Sequence, residues 1–205
     1  MRTRAPLTSE ESLHQIRRER AKRNKDRAKA MEQRIARILR GKRIPLSGAM
    51  RMYKGDVEIP LRLPDKKYII ECKLSAGRTG SNDSSIRIQF TWLEKIRKEA
   101  VAMNALFGVL IIHFFQRNNA DFVFIHESTL RVLHKYMQSE EVYTRIQTLW
   151  DTAPLHDWRF KGAMIPTRGK NVLLSQLQNP LKVHTSDGIY MIISLATFVE
   201  INEQL

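Results

Sequence analysis

The sequence predicts an α/β fold: a mixed central β-sheet flanked by helices, with a basic N-terminal helix and a C-terminal extension. Three observations predict it. Apolar residues are 42% of the 205, enough for a real core. The middle of the chain reads strand, strand, helix, strand, strand. Residues 108–115 hold VLIIHFF, an apolar run of strand type.

Taken in order, Thr8-Ser9-Glu10-Glu11 has the form of a helix start. The helix it opens runs to about residue 40. Its first part is polar nearly all round. Its last part sets Met31, Ile35, Ile38 and Leu39 on one face, so 28–40 docks on a core and 9–27 projects into solvent or along a ligand. Gly41 is expected to end it. A short strand at 43–46, a Ser47-Gly48 turn and a short alternating strand at 56–59 follow. Pro60, Pro64 and Asp65 punctuate a turn before a stronger strand at 67–74. Residues 75–85 read as a mobile loop. Residues 86–106 read as a helix with Ile88, Trp92, Ile96 and Ala100 along one stripe. Strands at 108–115 and 121–125 precede helices at 128–137 and 140–150. The stretch 151–188 holds Pro, Gly and few periodic signals. A strand at 189–195 and a helix at 197–205 close the chain. The implied organisation is a basic arm over 1–27, a core over 28–137 and an extension over 138–205 packed on it.

Charge is concentrated rather than spread. The chain carries a formal +14, and residues 1–43 hold 15 Lys and Arg against 5 Asp and Glu, so +10 lies there. Such an excess points to a polyanionic partner, because phosphate contacts release counterions. Arg17, Arg18, Arg20, Lys22, Arg23, Lys25, Arg27 and Lys29 are positioned to track a DNA backbone, joined by Arg43 and by Arg78 and Arg87 beside the loop. A solvated helix face is the plain alternative. A membrane-lying helix needs a wide apolar face, and 17–27 offers only Ala21. One cysteine excludes an internal disulfide and a multi-Cys zinc site. No stretch approaches the roughly 18 apolar residues of a membrane span, and the charged N-terminus has no secretion signal, so a cytoplasmic protein is expected.

The chemistry centres on Asp56 and Glu71-Cys72-Lys73. Side chains alternate along a strand, so Glu71 and Lys73 share one face while Ile70, Cys72 and Leu74 share the apolar one. Two neighbouring strands bring Asp56 beside Glu71. Two carboxylates suit a hard divalent cation such as Mg²⁺, and the Cys72 carbonyl can add a third oxygen. A bound cation acidifies water and stabilises charge on a phosphodiester, while a nearby lysine positions or deprotonates the attacking water. The same residues also fit a solvated ion pair on an exposed sheet face, with Asp56 in a turn. Glu58 shares the Asp56 face and reads as peripheral.

Asp56 and Glu71-x-Lys73 resemble the metal-binding motif of the PD-(D/E)xK nuclease superfamily. The likeness is closer still to archaeal-type Holliday junction resolvases and their phage-encoded relatives. It spans roughly 28–126: Glu32 in the first core helix, Ser47-Gly48, Gly55-Asp56, the Glu71-Cys72-Lys73 strand, then Ile88-Gln89, Trp92-Leu93-x-Lys95-Ile96, Glu99-Ala100 and the apolar strand. The resemblance implies a restriction-endonuclease-like core. Asp56, Glu71 and the Cys72 carbonyl would hold Mg²⁺, with Mn²⁺ able to substitute. Lys73 would handle the water, Glu32 would lie near the site, Ser47 would hold the scissile phosphate and Gln89 would sit close by. It further implies a homodimer that cuts branched DNA, especially four-way junctions, by in-line attack of water, in a bacterial or archaeal cell or a phage-infected host. A nicking or restriction-like nuclease and a non-catalytic basic DNA-binding protein are the alternatives. The region after about 138 and the long basic helix before 28 have no counterpart in that family. Gly rather than Pro precedes the first carboxylate. His113 reads as a core or sheet-edge histidine, and Cys72 as a small buried hydrophobe. Trp158-Arg159-Phe160-Lys161 with Arg168-Gly169-Lys170 reads as a buried tryptophan beside surface charges, or as a stacking patch for an unpaired base.

Overall fold

A computed structural model describes residues 9–45, 55–75, 85–114, 120–158, 170–173 and 179–205. Thr8, the Ser47-Gly48 turn, most of the 75–85 loop with Arg78, and residues 159–169 lie outside these, as does the Arg87 side chain. The described chain is an α/β fold with a mixed eight-stranded sheet and five helices.

In chain order these are α1 (Ser9–Ile38), β1 (Lys42–Arg43), β2 (Val57–Pro60), β3 (Lys67–Ser75), β4 (Ser85–Ile88), α2 (Phe90–Ala102), β5 (Gly108–Phe114) and β6 (Ala120–His126). There follow α3 (Glu127–Tyr136), α4 (Glu140–Thr152), β7 (Leu155–Asp157), β8 (Lys170–Leu173), β9 (Leu181–Thr185), β10 (Gly188–Ser194) and α5 (Leu195–Asn202). The large sheet runs β1-β2-β3-β5-β6-β10-β9-β7, with β3/β5 and β7/β9 parallel and the other pairs antiparallel. Strands β4 and β8 form a separate antiparallel pair.

Strand alternation builds two cores, one on each side of the sheet. Ile70, Val109, Ile111, Val123, Ile125, Met191 and Ile193 face Met31, Ile35 and Leu39 of α1, Leu130 and Leu133 of α3, Ile146 of α4 and Phe198 of α5. Ile69, Leu110, Ile112, Phe122, Phe124 and Ile192 face Phe90, Leu93 and Ile96 of α2. Trp158 is buried against Phe90, with ring centroids 6.3 Å apart, so this tryptophan belongs to the core. The C-terminal residues extend the sheet itself, through β10 on β6 and β9 on β10.

Helix α1 divides as its pattern predicts. Residues 13–27 are exposed, whereas Met31, Ile35 and Leu39 are buried. Its end differs from expectation. The left-handed residue is Arg40, at φ +57°, and the Gly41 N–H reaches back to the Ala36 carbonyl at 2.7 Å, which closes the last turn. The work of Gly41 is clearance, since a Cβ there would lie 2.6 Å from the Glu58 carbonyl oxygen.

The expected helix over 86–106 begins later. Residues 85–88 are strand β4, paired with β8, and α2 starts at Phe90. Its buried stripe is therefore Phe90, Leu93, Ile96 and Ala100, and Trp92 turns aside. The alternation Ser85-Ile86-Arg87-Ile88 is of strand period but only four residues long, and its pairing partner β8 lies far along the chain.

Gly108 lets α2 approach the sheet. A Cβ at Gly108 would stand 2.6 Å from the Ile96 carbonyl oxygen, a backbone atom that cannot swing away. Gly108→Ala is expected to cost about 1–3 kcal/mol of stability in urea denaturation. A variant as stable as the wild type would mean that α2 shifts freely.

Candidate functional site

The site assembles where β2 begins and β3 passes its midpoint. Val57 lies opposite Ile70 in the antiparallel register, and Asp56, just before β2, stands beside residues 70–72 of β3. The Asp56 backbone is held on both sides: its N–H donates to the Ile70 carbonyl at 2.7 Å, and its carbonyl accepts from Ile44 N–H at 2.9 Å. Its side chain is fixed too, with Oδ2 accepting from the Cys72 N–H at 2.7 Å. Even-numbered residues of β3 therefore turn their backbone groups toward β2 in this stretch. The Cys72 carbonyl shares that direction and faces the same edge as Asp56.

Glu71 and Lys73 fall on the α2 face, as alternation predicts. Ile69 lies in the α2-side core, and Ile70, Cys72 and Leu74 pack toward α1. The Glu71 side chain is 3% exposed. Its Oε1 accepts from Lys73 Nζ and, at 2.8 Å, from Lys95 Nζ of α2. Lys95 also stands 3.6 Å from Glu99, whose Oε2 accepts from the Gly55 N–H at 3.2 Å. Lys73 Nζ lies 5.9 Å from the centre of the Trp92 ring.

Electrostatics separate the two acids. Burial and then the neighbouring Glu71 charge push the Asp56 carboxyl up to about 6, against the opposing pull of the Cys72 N–H. Burial pushes Glu71 the same way, but Lys73 and Lys95 outweigh it and hold Glu71 below its ordinary value. The Cys72 thiol is driven well up by burial and by Asp56, Glu32 and Glu71, which leaves it protonated and unsuited to nucleophilic chemistry.

Glu32 of α1 joins this field, since it acts on both Asp56 and Cys72. It accepts from Arg43 Nε at 2.5 Å, so the Arg43 cation is engaged inside the protein. Gln89 occupies the N-cap of α2 without a capping bond from its side chain. Glu58 pairs with Lys67 at 2.8 Å, away from Asp56, which fits its peripheral reading. His113 is buried and meets Asp121 at 2.9 Å, and Asp121 also takes both terminal nitrogens of Arg34.

The structure thus gathers Glu32, Asp56, Glu71 and Lys73, and it adds Lys95, Glu99 and Trp92. The signal for these three was present. Residues 92, 95 and 99 recur at i, i+3, i+7 on one face of α2. A stripe phased from Ile88 instead places Trp92 with the core.

Among the described residues no group of three or more His, Cys, Asp or Glu side chains is arranged to hold a metal. The oxygen donors at hand are the two adjacent carboxylates and the Cys72 carbonyl. That set suits Mg²⁺, which takes one or two carboxylates and keeps several waters. No protein-family model, curated protein or solved structure matches this chain. No described helix is long and apolar enough to cross a membrane.

Proposed function

We propose that this chain is a Mg²⁺-dependent endodeoxyribonuclease of the PD-(D/E)xK type that cuts branched DNA, four-way junctions above all. The observation that carries the reading is Asp56 held against the 70–72 stretch of β3 beside Glu71, with Lys73 on the Glu71 carboxylate and Glu32 of the basic helix close to Asp56. Asp56, Glu71 and the Cys72 carbonyl are the groups that would hold the cation. When bound, it supplies Lewis-acid stabilisation of charge on the scissile phosphate and lowers the pKa of water. Asp56 stays oriented for this by the Cys72 N–H. Lys73 holds the attacking water in line, and the Trp92 ring beside it keeps its ammonium from swinging out. The resemblance supports 5′-phosphate and 3′-hydroxyl products. It also supports a homodimer acting in the cytoplasm, since two symmetric cuts on a junction need two sites. Mn²⁺ is expected to replace Mg²⁺. Ser47, the Gln89 side chain, Arg78 and Arg87 keep the roles the resemblance implies as proposals.

The ion pairs of Glu71 with Lys73 and Lys95 favour a second reading, a non-catalytic DNA-binding protein whose acids only neutralise lysines. Cleavage separates the two. A four-way junction, a linear duplex and a flap are incubated with Mg²⁺ and wild type, with Lys73→Ala as control. The nuclease reading expects junction cutting that Lys73→Ala lowers by about 10²-fold or more. Binding of every DNA with no cutting gives the second reading. Equal cutting of duplex and junction leaves a restriction-like or nicking enzyme.

A further inference from the structure

Helix α1 leaves the site in a defined direction. Glu32 acts on Asp56, near the middle of β3, while the Leu39 carbonyl accepts from Asn202, the residue that also takes the Tyr68 hydroxyl near the start of β3. The helix therefore runs against β3, and its exposed half extends past the catalytic edge, reaching about 35 Å from Glu32 at 1.5 Å per residue.

At about 100° per residue seven of the eight arm cations fall into two rows, and Arg17 lies between them. Arg18, Lys22, Lys25 and Lys29 form one, at i, i+4, i+7, i+11, over about 16 Å. Arg20, Arg23 and Arg27 form the other, almost diametrically opposite. Arg17, Ala21 and Ala28 lie in the seam continuous with the core face, and Glu19 and Asp26 fill the outer seam. Both rows are exposed. The docked part fixes which way each looks. Glu32 lies on the side of the first row and pairs with Arg43 of β1. Arg34 lies on the side of the second and pairs with Asp121 of β6. The first row looks toward the β1–β2 side, where Glu32 stands near Asp56, and the second toward β6.

One duplex laid along this helix meets one row and leaves the other pointing away from it. Two polyanions, one on each flank, engage both. Apart from Leu13 and Ile16 at its far end, the arm between 12 and 30 has no large apolar side chain to enter a membrane. We infer that the α1 arm is a two-sided wedge seated between two duplex arms of a branched DNA, each cationic row holding one. The inference rests on the proposed function and names how that site chooses its substrate.

The test uses full-length protein in EDTA, so that cleavage does not enter. One variant carries Arg18→Gln, Lys22→Gln, Lys25→Gln and Lys29→Gln. The other carries Arg20→Gln, Arg23→Gln and Arg27→Gln. Glutamine keeps helix propensity in both. Each is titrated against an immobile four-way junction and a linear duplex over a range of salt. Each single-row variant is expected to lose about 10–100-fold in junction affinity but only about twofold on duplex, because either remaining row still serves a lone duplex. The junction salt slope is expected to fall by about 3. Equal losses on the two DNAs, or one row carrying all the loss, overturn the wedge. So does tight binding to anionic vesicles with no binding to DNA. The nuclease reading fails separately, on wild type that does not cut in Mg²⁺.

Discussion

Asp56→Asn is expected to lose cleavage by about 10³-fold or more and, at neutral pH, to be more stable than the wild type. The two effects share one cause. Burial and the neighbouring Glu71 charge push the Asp56 carboxyl up to about 6, against 3.8 as its ordinary value. The folded state therefore binds this proton more tightly than the unfolded state does. Stability from this group is greatest in acid, falls as pH rises from about 4 through about 6, and stays low above that. Above that window the ionised Asp56 costs on the order of 1–3 kcal/mol. Asparagine removes the charge and keeps an oxygen for the Cys72 N–H. Glu71 works in the opposite sense: its depressed pKa gives stability that is present above its ordinary value and lost in more acid solution. Urea denaturation in EDTA at about pH 5 and about pH 8 reads the difference. A variant no more stable than wild type at the higher pH would remove the strained carboxylate pair. Added Mg²⁺ is expected to stabilise wild type and not the variant.

Deleting residues 1–27 is expected to lower DNA affinity by about 10²–10³-fold and to flatten its salt dependence by about 4–6 in slope. The deletion takes away seven of the eight arm cations named above, leaving Lys29. The folded core is expected to hold, because residues 13–27 are exposed while the first buried anchor of α1 is Met31. A polar helix of this kind is marginal in water on its own, so its docked end is what anchors it. Filter binding across a salt series, with the melting temperature as control, measures both. An unchanged slope would show that the arm does not meet phosphates.

What was legible in the sequence followed period and composition. The alternation through Ile69, Ile70, Glu71, Cys72 and Lys73 assigned each side chain its face, with Glu71 and Lys73 together on one of them. The change from all-polar to one-sided apolar spacing near residue 28 located where α1 docks. The sites that pattern could not reach depend on distant pairing. Strand β4 is a strand because β8 lies beside it, and β7 and β9 are short and sit among turn residues. Lys95 looked like any solvated helix charge, since only the three-dimensional approach of α2 to β3 gives it Glu71. That approach depends on the missing side chain at Gly108. The separation of Asp56 and Glu71 into high and low titration required coordinates, because it follows from the burial of Asp56 and from two lysines placed on Glu71.

The rims of the large sheet set how copies of this chain can meet. Among the described residues the outermost strands are β1, only Lys42–Arg43, and β7, only Leu155–Asp157. Such brief margins, one of them doubly cationic, offer a second sheet almost no ladder to continue. Strand addition at these two margins of the large sheet is therefore disfavoured. Lengthening either margin with alternating apolar residues would open a route to fibrous aggregates.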